Sequence, residues 1–282
     1  MKEFNSKTAV VTGAASGIGL AMAELFLANG MNVVMADIEA GTLDTAANSL
    51  AGGDKVLAVV SDVADSASVD QLAEQAYSHF GNVHLLCNNA GVFTAGASWE
   101  CSDADYRWLL DVNVLGIANG IRSFVPRMIA AGEEGHIVNT ASMAGMTTMP
   151  FSSVYCMSKA AALSLSECLC KELEVTAPQL SVSVLCPELI NTGIAAAARN
   201  RPDSYSQTGD ITQTEFSKMT DQAITEGTAG GLDPMHMAER VLQGVIDKKF
   251  YLLAQDGWKN VAMVRQEEIK DERNPTLSFV EI

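Results

Sequence analysis

A parallel β-sheet with helices on both faces is the fold class that this 282-residue sequence predicts, and three observations predict it. Apolar runs of strand length alternate about six times with longer segments of helical period, the pattern of successive βαβ units. A turn holding Gly13, Gly17 and Gly19 leads from the first apolar run straight into the first helical segment. The composition, 48% hydrophobic and 6% aromatic, suits one large domain with a well-buried core.

Taken in order, the strands are predicted at 7–12, 31–36, 55–60, 83–87, 135–140 and 180–186, with "FYLLA" at 250–254 as a seventh. "GIGLAMAELFLANG" forms the first helix and stops at Gly30. "DSASVDQLAEQAYSHFG" forms another, capped by Asp65 or Ser66 and stopped by Gly81. Two long helices follow, around 103–131 and 153–176, the second rich in alanine, serine and cysteine, whose small side chains permit close packing. Residues 191–230 break the rhythm with a short alanine-rich helix, a polar turn region and a second short helix. We expect one domain over 1–282, with 191–230 as a substrate-side insertion and a C-terminal extension after about 255.

The 18 basic and 34 acidic residues give a formal charge of -16, which opposes binding to nucleic-acid phosphates or an anionic membrane. The chain holds no run of eighteen apolar residues, and its N-terminal segment reaches glycine too soon for a signal peptide, so a cytoplasmic location is expected. Six cysteines lack the Cys-x2-Cys spacing of zinc and redox sites, and four histidines are scattered, so no metal is expected.

The first turn, "TGAASGIG", places glycines where backbone must approach a ligand, and the following helix points free amides and its positive dipole end at a pyrophosphate. Asp37 ends the second strand eighteen residues after Gly19, where a carboxylate accepts hydrogen bonds from the adenosine ribose hydroxyls. It would repel a 2'-phosphate, and neither the glycine turn nor Ile38 supplies a cation, so NAD is expected over NADP. Asp62, Asn88 and Asn89 stand at further strand ends; Asp62 suits the adenine amino group, and for Asn88 a structural and a cofactor role stand level. Tyr155 and Lys159 lie one helical turn apart, so the ammonium can favour the phenolate and lower the tyrosine pKa from about 10 toward the range of a general base. Ser152 and Ser153, also close by, suit helix capping better than catalysis.

Together "TGAASGIG", "NNAG", Asn113 in "DVNVLG", Ser142 and "YCMSK" resemble the short-chain dehydrogenase/reductase family, in its form with a short N-terminal segment, over roughly residues 5–255. The resemblance implies a single-domain, doubly wound Rossmann fold with a seven-stranded parallel sheet. It also implies a catalytic group of Asn113, Ser142, Tyr155 and Lys159. Tyr155 is then the base for alcohol oxidation or the acid for ketone reduction. Ser142 bonds the substrate oxygen, Lys159 orients the ribose, and Asn113 holds a water that relays protons. Ser16, Ile18, Val63, Ala90, Gly91, Pro187, Ile190 and Thr192 join the residues above around the cofactor, and the family's common assembly implies a homo-oligomer, tetramer or dimer.

"GIANGIRSFVPRMIAAGEEGHIVNTASMAG", "CPELINTGIAAAARNRPDSY" and "FYLLAQDGWKNVAMVRQEEI" are similar to bacterial members that oxidise benzylic Cα alcohols of lignin-derived aryl ethers. That similarity implies a bulky aryl or alicyclic alcohol or the matching ketone, with Met143, Met149 and Phe151 near it. After Pro187 the family has glycine where this chain has Glu188, which either points to solvent or borders the substrate pocket. Two rival readings are a dinucleotide-binding regulatory protein without activity, opposed by the complete catalytic set, and an epimerase or dehydratase, whose larger substrate domain a 282-residue chain lacks.

Overall fold

The computed structural model describes residues 1–206, 213–253 and 256–277. Its strands are β1 (Thr8–Thr12), β2 (Asn32–Asp37), β3 (Val56–Val60), β4 (Leu85–Asn88), β5 (Gly135–Thr140), β6 (Leu180–Cys186) and β7 (Tyr251–Leu253). All pair in parallel as one sheet of order β3-β2-β1-β4-β5-β6-β7, the predicted seven strands within a residue or two. Ala254, the last residue of the seventh predicted strand, lies outside the described residues.

The described helices are α1 (Gly17–Ala28), α2 (Ala40–Ser49), α3 (Ser66–Phe80), α4 (Asp103–Leu110), α5 (Gly116–Ala131), α6 (Ser153–Thr176), α7 (Glu215–Ala229), α8 (Pro234–Asp247) and α9 (Asp256–Lys270). Asp65 rather than Ser66 caps α3, accepting from the Ala67 amide at 2.9 Å, and Gly81 at φ 80° stops it. The predicted long helix at 103–131 is divided by a π turn at Asp111–Leu115, the wider coil that carries Asn113. In the expected insertion the alanine-rich stretch is a 3-10 segment, Gly193–Asn200, and the later helix is α7. Residues 207–212, part of its polar turn region, lie outside the described residues.

Successive strand side chains face opposite layers, which is why the strands read as unbroken apolar runs. Ala9, Val11, Val33 and Met35 pack with Phe26 of α1, Leu43 of α2 and Val241 of α8. Val10, Val34 and Ile137 pack on the other face with Leu72 of α3, Phe124 of α5 and Leu173 of α6. Each fully buried phenylalanine contributes about 1.5–3 kcal/mol.

One histidine is caught in this packing. His136 of β5 is fully buried, bonds Ser183 Oγ through Nε2 at 2.7 Å, and leaves Nδ1 without a hydrogen-bond partner. Burial pushes its pKa down from 6.5 to about 3, so the folded state holds it neutral while the unfolded chain protonates it. The stability this provides is present above pH 6.5 and is lost as the pH falls toward 3. Acidifying from pH 7 to 5 is expected to cost about 2 kcal/mol from this residue, read by urea unfolding. A His136→Gln chain should lose that part of the acid slope; an unaltered slope refutes the assignment.

Candidate active site

A cleft opens at the carboxyl ends of the strands, where β1 has β2 on one side and β4 on the other and the chain's direction of travel across the sheet reverses. Of the expected cofactor residues, Gly13, Ser16, Gly17, Ile18, Asp37, Asp62, Val63, Asn89, Ala90, Gly91, Tyr155, Lys159, Pro187, Ile190 and Thr192 all line it. Gly19 lies behind the wall, and its lack of a side chain is obligatory: a Cβ there would fall 2.0 Å from the Gly13 carbonyl oxygen. Gly19→Ala is therefore expected to displace the turn and raise the dissociation constant for a dinucleotide at least tenfold in a fluorescence titration. Unchanged affinity refutes this geometry. Gly13 adopts φ 65° and Gly17 φ 55°, which lets the turn fold back beneath the amino end of α1.

The Asp37 carboxylate accepts from the Ala15 amide at 3.0 Å and the Glu39 amide at 3.0 Å. Four lone-pair sites leave capacity for two ribose hydroxyls. Asp62 accepts from the Ala64 amide at 2.9 Å. The Asn89 main-chain amide donates to Thr12 Oγ1 (2.9 Å), its Nδ2 donates to the Thr12 carbonyl (3.0 Å) and its Oδ1 accepts from Thr140 Oγ1 (3.3 Å), so it ties three strand ends together. Asn88, 3% exposed and bonded to Asn139 Oδ1 at 2.9 Å, is structural and is absent from the cleft wall.

The sequence offered no cation beside Asp37, yet the fold delivers one across 160 residues. Arg199 of the 3-10 segment lines the cleft and binds Glu39 Oε1 through Nε at 3.1 Å, and Asn200 Nδ2 donates to the same oxygen at 2.7 Å. The bond from Asn200, with Arg199, holds the Glu39 carboxyl below its usual range. Further along, Arg201 pairs with Asp105 of α4 at 2.5 Å and stacks over Trp108, and Tyr205 donates to Asp111 at 2.8 Å. The 193–205 stretch is thereby pinned on both sides of the cleft.

Ser142, Tyr155 and Lys159 meet on the cleft wall. Lys159, 2% exposed, donates to the Thr140 carbonyl at 3.0 Å and lies 5.7 Å from the Tyr155 ring centroid. Desolvation pushes its pKa down to about 8. The Tyr155 phenol is pushed up to about 12 by burial, against a lowering hydrogen bond with Ser142. The expected lowering of Tyr155 by Lys159 is therefore corrected for the ligand-free protein: the lysine bonds the Thr140 carbonyl, and burial raises the phenol. Asn113, fully buried, is a clamp, with Oδ1 accepting from the Val92 amide at 2.9 Å and Nδ2 donating to the Val92 carbonyl and to Ser158 Oγ, each at 3.0 Å.

Met143, Met149 and Glu188 line the cleft, which places Glu188 in the wall. Phe151 does not line it; at φ 59° its ring turns outward and stacks on Phe216, centroids 5.8 Å apart. Ser152 and Ser153 fail as caps: neither hydroxyl has a hydrogen-bond partner, because a bridge to Gly96 turns Ser152 from the extended conformation of an N-cap. The sequence reading missed Phe93, whose ring meets Tyr155 edge-on at 5.1 Å, as well as Trp108, Leu189 and Ile224. It also missed Trp258, brought to the wall by α9. Phe93 was within reach, two residues after "NNAG"; Trp258 carried no local signal.

A family model described as short chain dehydrogenase matches residues 7–203. The C alpha-dehydrogenase of Sphingobium sp. is 34% identical over 255 residues, 90% of this chain and 82% of the relative. The CLA biosynthesis dehydrogenase/reductase of Lactiplantibacillus plantarum is 29% identical over 100% of this chain and 99% of its own. Among solved structures, a short chain dehydrogenase/reductase from Burkholderia phymatum in complex with NAD superposes with a TM-score of 0.95, at 38% identity and 99% coverage of both chains.

Proposed function

This chain belongs to the short-chain dehydrogenase family, an oxidoreductase family, and on that premise we propose that it is an NAD-dependent enzyme moving hydride between a secondary alcohol, or its ketone, and the nicotinamide. The observation that carries the proposal is that Tyr155, Ser142 and Lys159, the lysine one turn from the tyrosine, share the wall of the cleft that begins at the glycine turn. The glycine turn, the amino end of α1 and the Asp37 carboxylate fit a dinucleotide, and NAD bound there supplies the hydride acceptor.

The protein's part is proton transfer and placement. The Ser142 hydroxyl donates to the substrate oxygen, and Tyr155 removes the hydroxyl proton as carbon gives up hydride, or returns it during reduction. With the cofactor bound, Lys159 would orient the ribose and its charge would favour the phenolate, and the relay to solvent runs past Asn113, whose clamp on Val92 and Ser158 holds that region rigid.

The apolar wall supports a bulky aryl or alicyclic substrate, with Met143 and Met149 beside it. Residues 1–282 are read as one domain, with 191–230 as its substrate-side insertion, in a homo-oligomer paired through α5 and α6, tetramer or dimer. No described helix is long and apolar enough to cross a membrane, which is consistent with the cytoplasmic location proposed from the sequence. Purified protein mixed with NAD and a panel of aryl and alicyclic secondary alcohols should produce NADH. Failure with every alcohol, and with every matching ketone and NADH, leaves the inactive regulatory reading instead.

A further inference from the structure

The two ends of the cleft treat charge differently. At the glycine turn an anionic pyrophosphate would meet backbone amides and a helix N-terminus. Phe93 meets Tyr155 edge-on, the apolar residues Trp108, Leu189 and Trp258 share the cleft wall, and among the described residues Glu188, which follows Pro187 at the end of β6, adds a carboxylate to that wall. The Pro187 carbonyl accepts from the Met143 amide at 3.0 Å and so holds this turn against the Ser142 loop.

Among the described residues that line the cleft, no cation is free to meet a second carboxylate. The two that line the cleft are committed: Lys159 to the Thr140 carbonyl, Arg199 to Glu39 and to the carbonyls of Gly193 and Ala196. Arg201, behind Trp108, is paired with Asp105. By sequence, residues 207–212, 254–255 and 278–282 contain no lysine or arginine. An anionic group entering this end would shed water without gaining a counter-charge, close to an existing carboxylate and inside a protein of formal charge -16.

We infer that the substrate is electrically neutral away from its reacting oxygen, and that Glu188 is the residue that turns away carboxylate-bearing analogues. The inference rests on the alcohol and ketone reading above. Glu188, which replaces the small residue of the family loop, acts here as an excluding charge rather than as a group in the proton transfer.

The test measures binding without turnover. A ketone and oxidised NAD cannot exchange hydride, so acetophenone, 3-acetylbenzoate and 4-acetylbenzoate are titrated into the protein with saturating NAD and followed by calorimetry. Acetophenone should bind at least tenfold more tightly than either benzoate, and raising the salt from 0.05 to 0.5 M should narrow that ratio. Glu188→Gln should narrow it at least fivefold; the salt series on the unaltered protein stands even if this variant does not fold. Benzoates that bind as well as acetophenone, a ratio that Glu188→Gln leaves in place, or no binding of any ketone overturns the inference. If 4-(aminomethyl)acetophenone binds tenfold more tightly than acetophenone, the site is cation-selective and the inference also falls. Selective binding of acetophenone by a protein that oxidises no alcohol would overturn the proposed function alone.

Discussion

Tyr155→Phe is expected to lower kcat for alcohol oxidation by ~10²–10⁴-fold, the usual contribution of a positioned acid or base, while the Kd for NAD stays near that of the parent. The substitution removes one oxygen and keeps the ring that Phe93 braces edge-on at 5.1 Å, so the loss reports proton transfer rather than packing. The pH dependence provides a second reading. Burial holds the phenol near 12 in the ligand-free protein, so the phenolate is the minor form at neutral pH and oxidation should accelerate as the pH rises. Ketone reduction uses the protonated phenol and should stay nearly level through the same range. Because the positive charge of oxidised nicotinamide favours phenolate, the midpoint with NAD bound should lie below 12. Hydride exchange that persists at the parent rate in Tyr155→Phe would remove this residue from the mechanism.

The second large effect concerns the cofactor. Asp37→Asn is expected to weaken NAD binding by ~10–100-fold, the loss of a charge-assisted bond worth about 1.5–3 kcal/mol, and to narrow the preference over NADP. The gain for NADP should be modest, because Glu39 retains Arg199, the cation placed to meet a 2'-phosphate. Adding Glu39→Gln should release that arginine and improve NADP binding further. Tighter binding of NADP than of NAD by the unaltered protein would refute the argument from Asp37.

The strands were legible because a sheet buried on both faces demands apolar residues at every position, as in Val33, Val34, Met35 and Ala36, and such runs stand out against amphipathic helices. Part of the proposed site was legible locally, since Tyr155 and Lys159 are one turn apart on a helix and Asp37, the expected ribose partner, ends a strand; Asn113 and Ser142 were marked by the family resemblance. By contrast, α2 is polar and alanine-rich, and α8 and α9 follow a stretch where the βαβ rhythm has lapsed; none was marked in the sequence. Hydroxyl capping by Ser152 or Ser153 was a reasonable local expectation, undone by a backbone bridge to Gly96 some 56 positions away.

The sequence by itself determined the parallel α/β fold and the glycine turn, because each depends on short spacings along a strand or helix, while the proposed catalytic set of Asn113, Ser142, Tyr155 and Lys159 came from its resemblance to a known family. Tertiary structure decided that Tyr155 is raised and Lys159 lowered, since desolvation depends on everything packed around a group. It also decided that Glu188 faces the cleft while Phe151 leaves it, and that Arg199 reaches Glu39. Those outcomes join residues far apart in the chain, and no local periodicity encodes which distant side chains will share a wall.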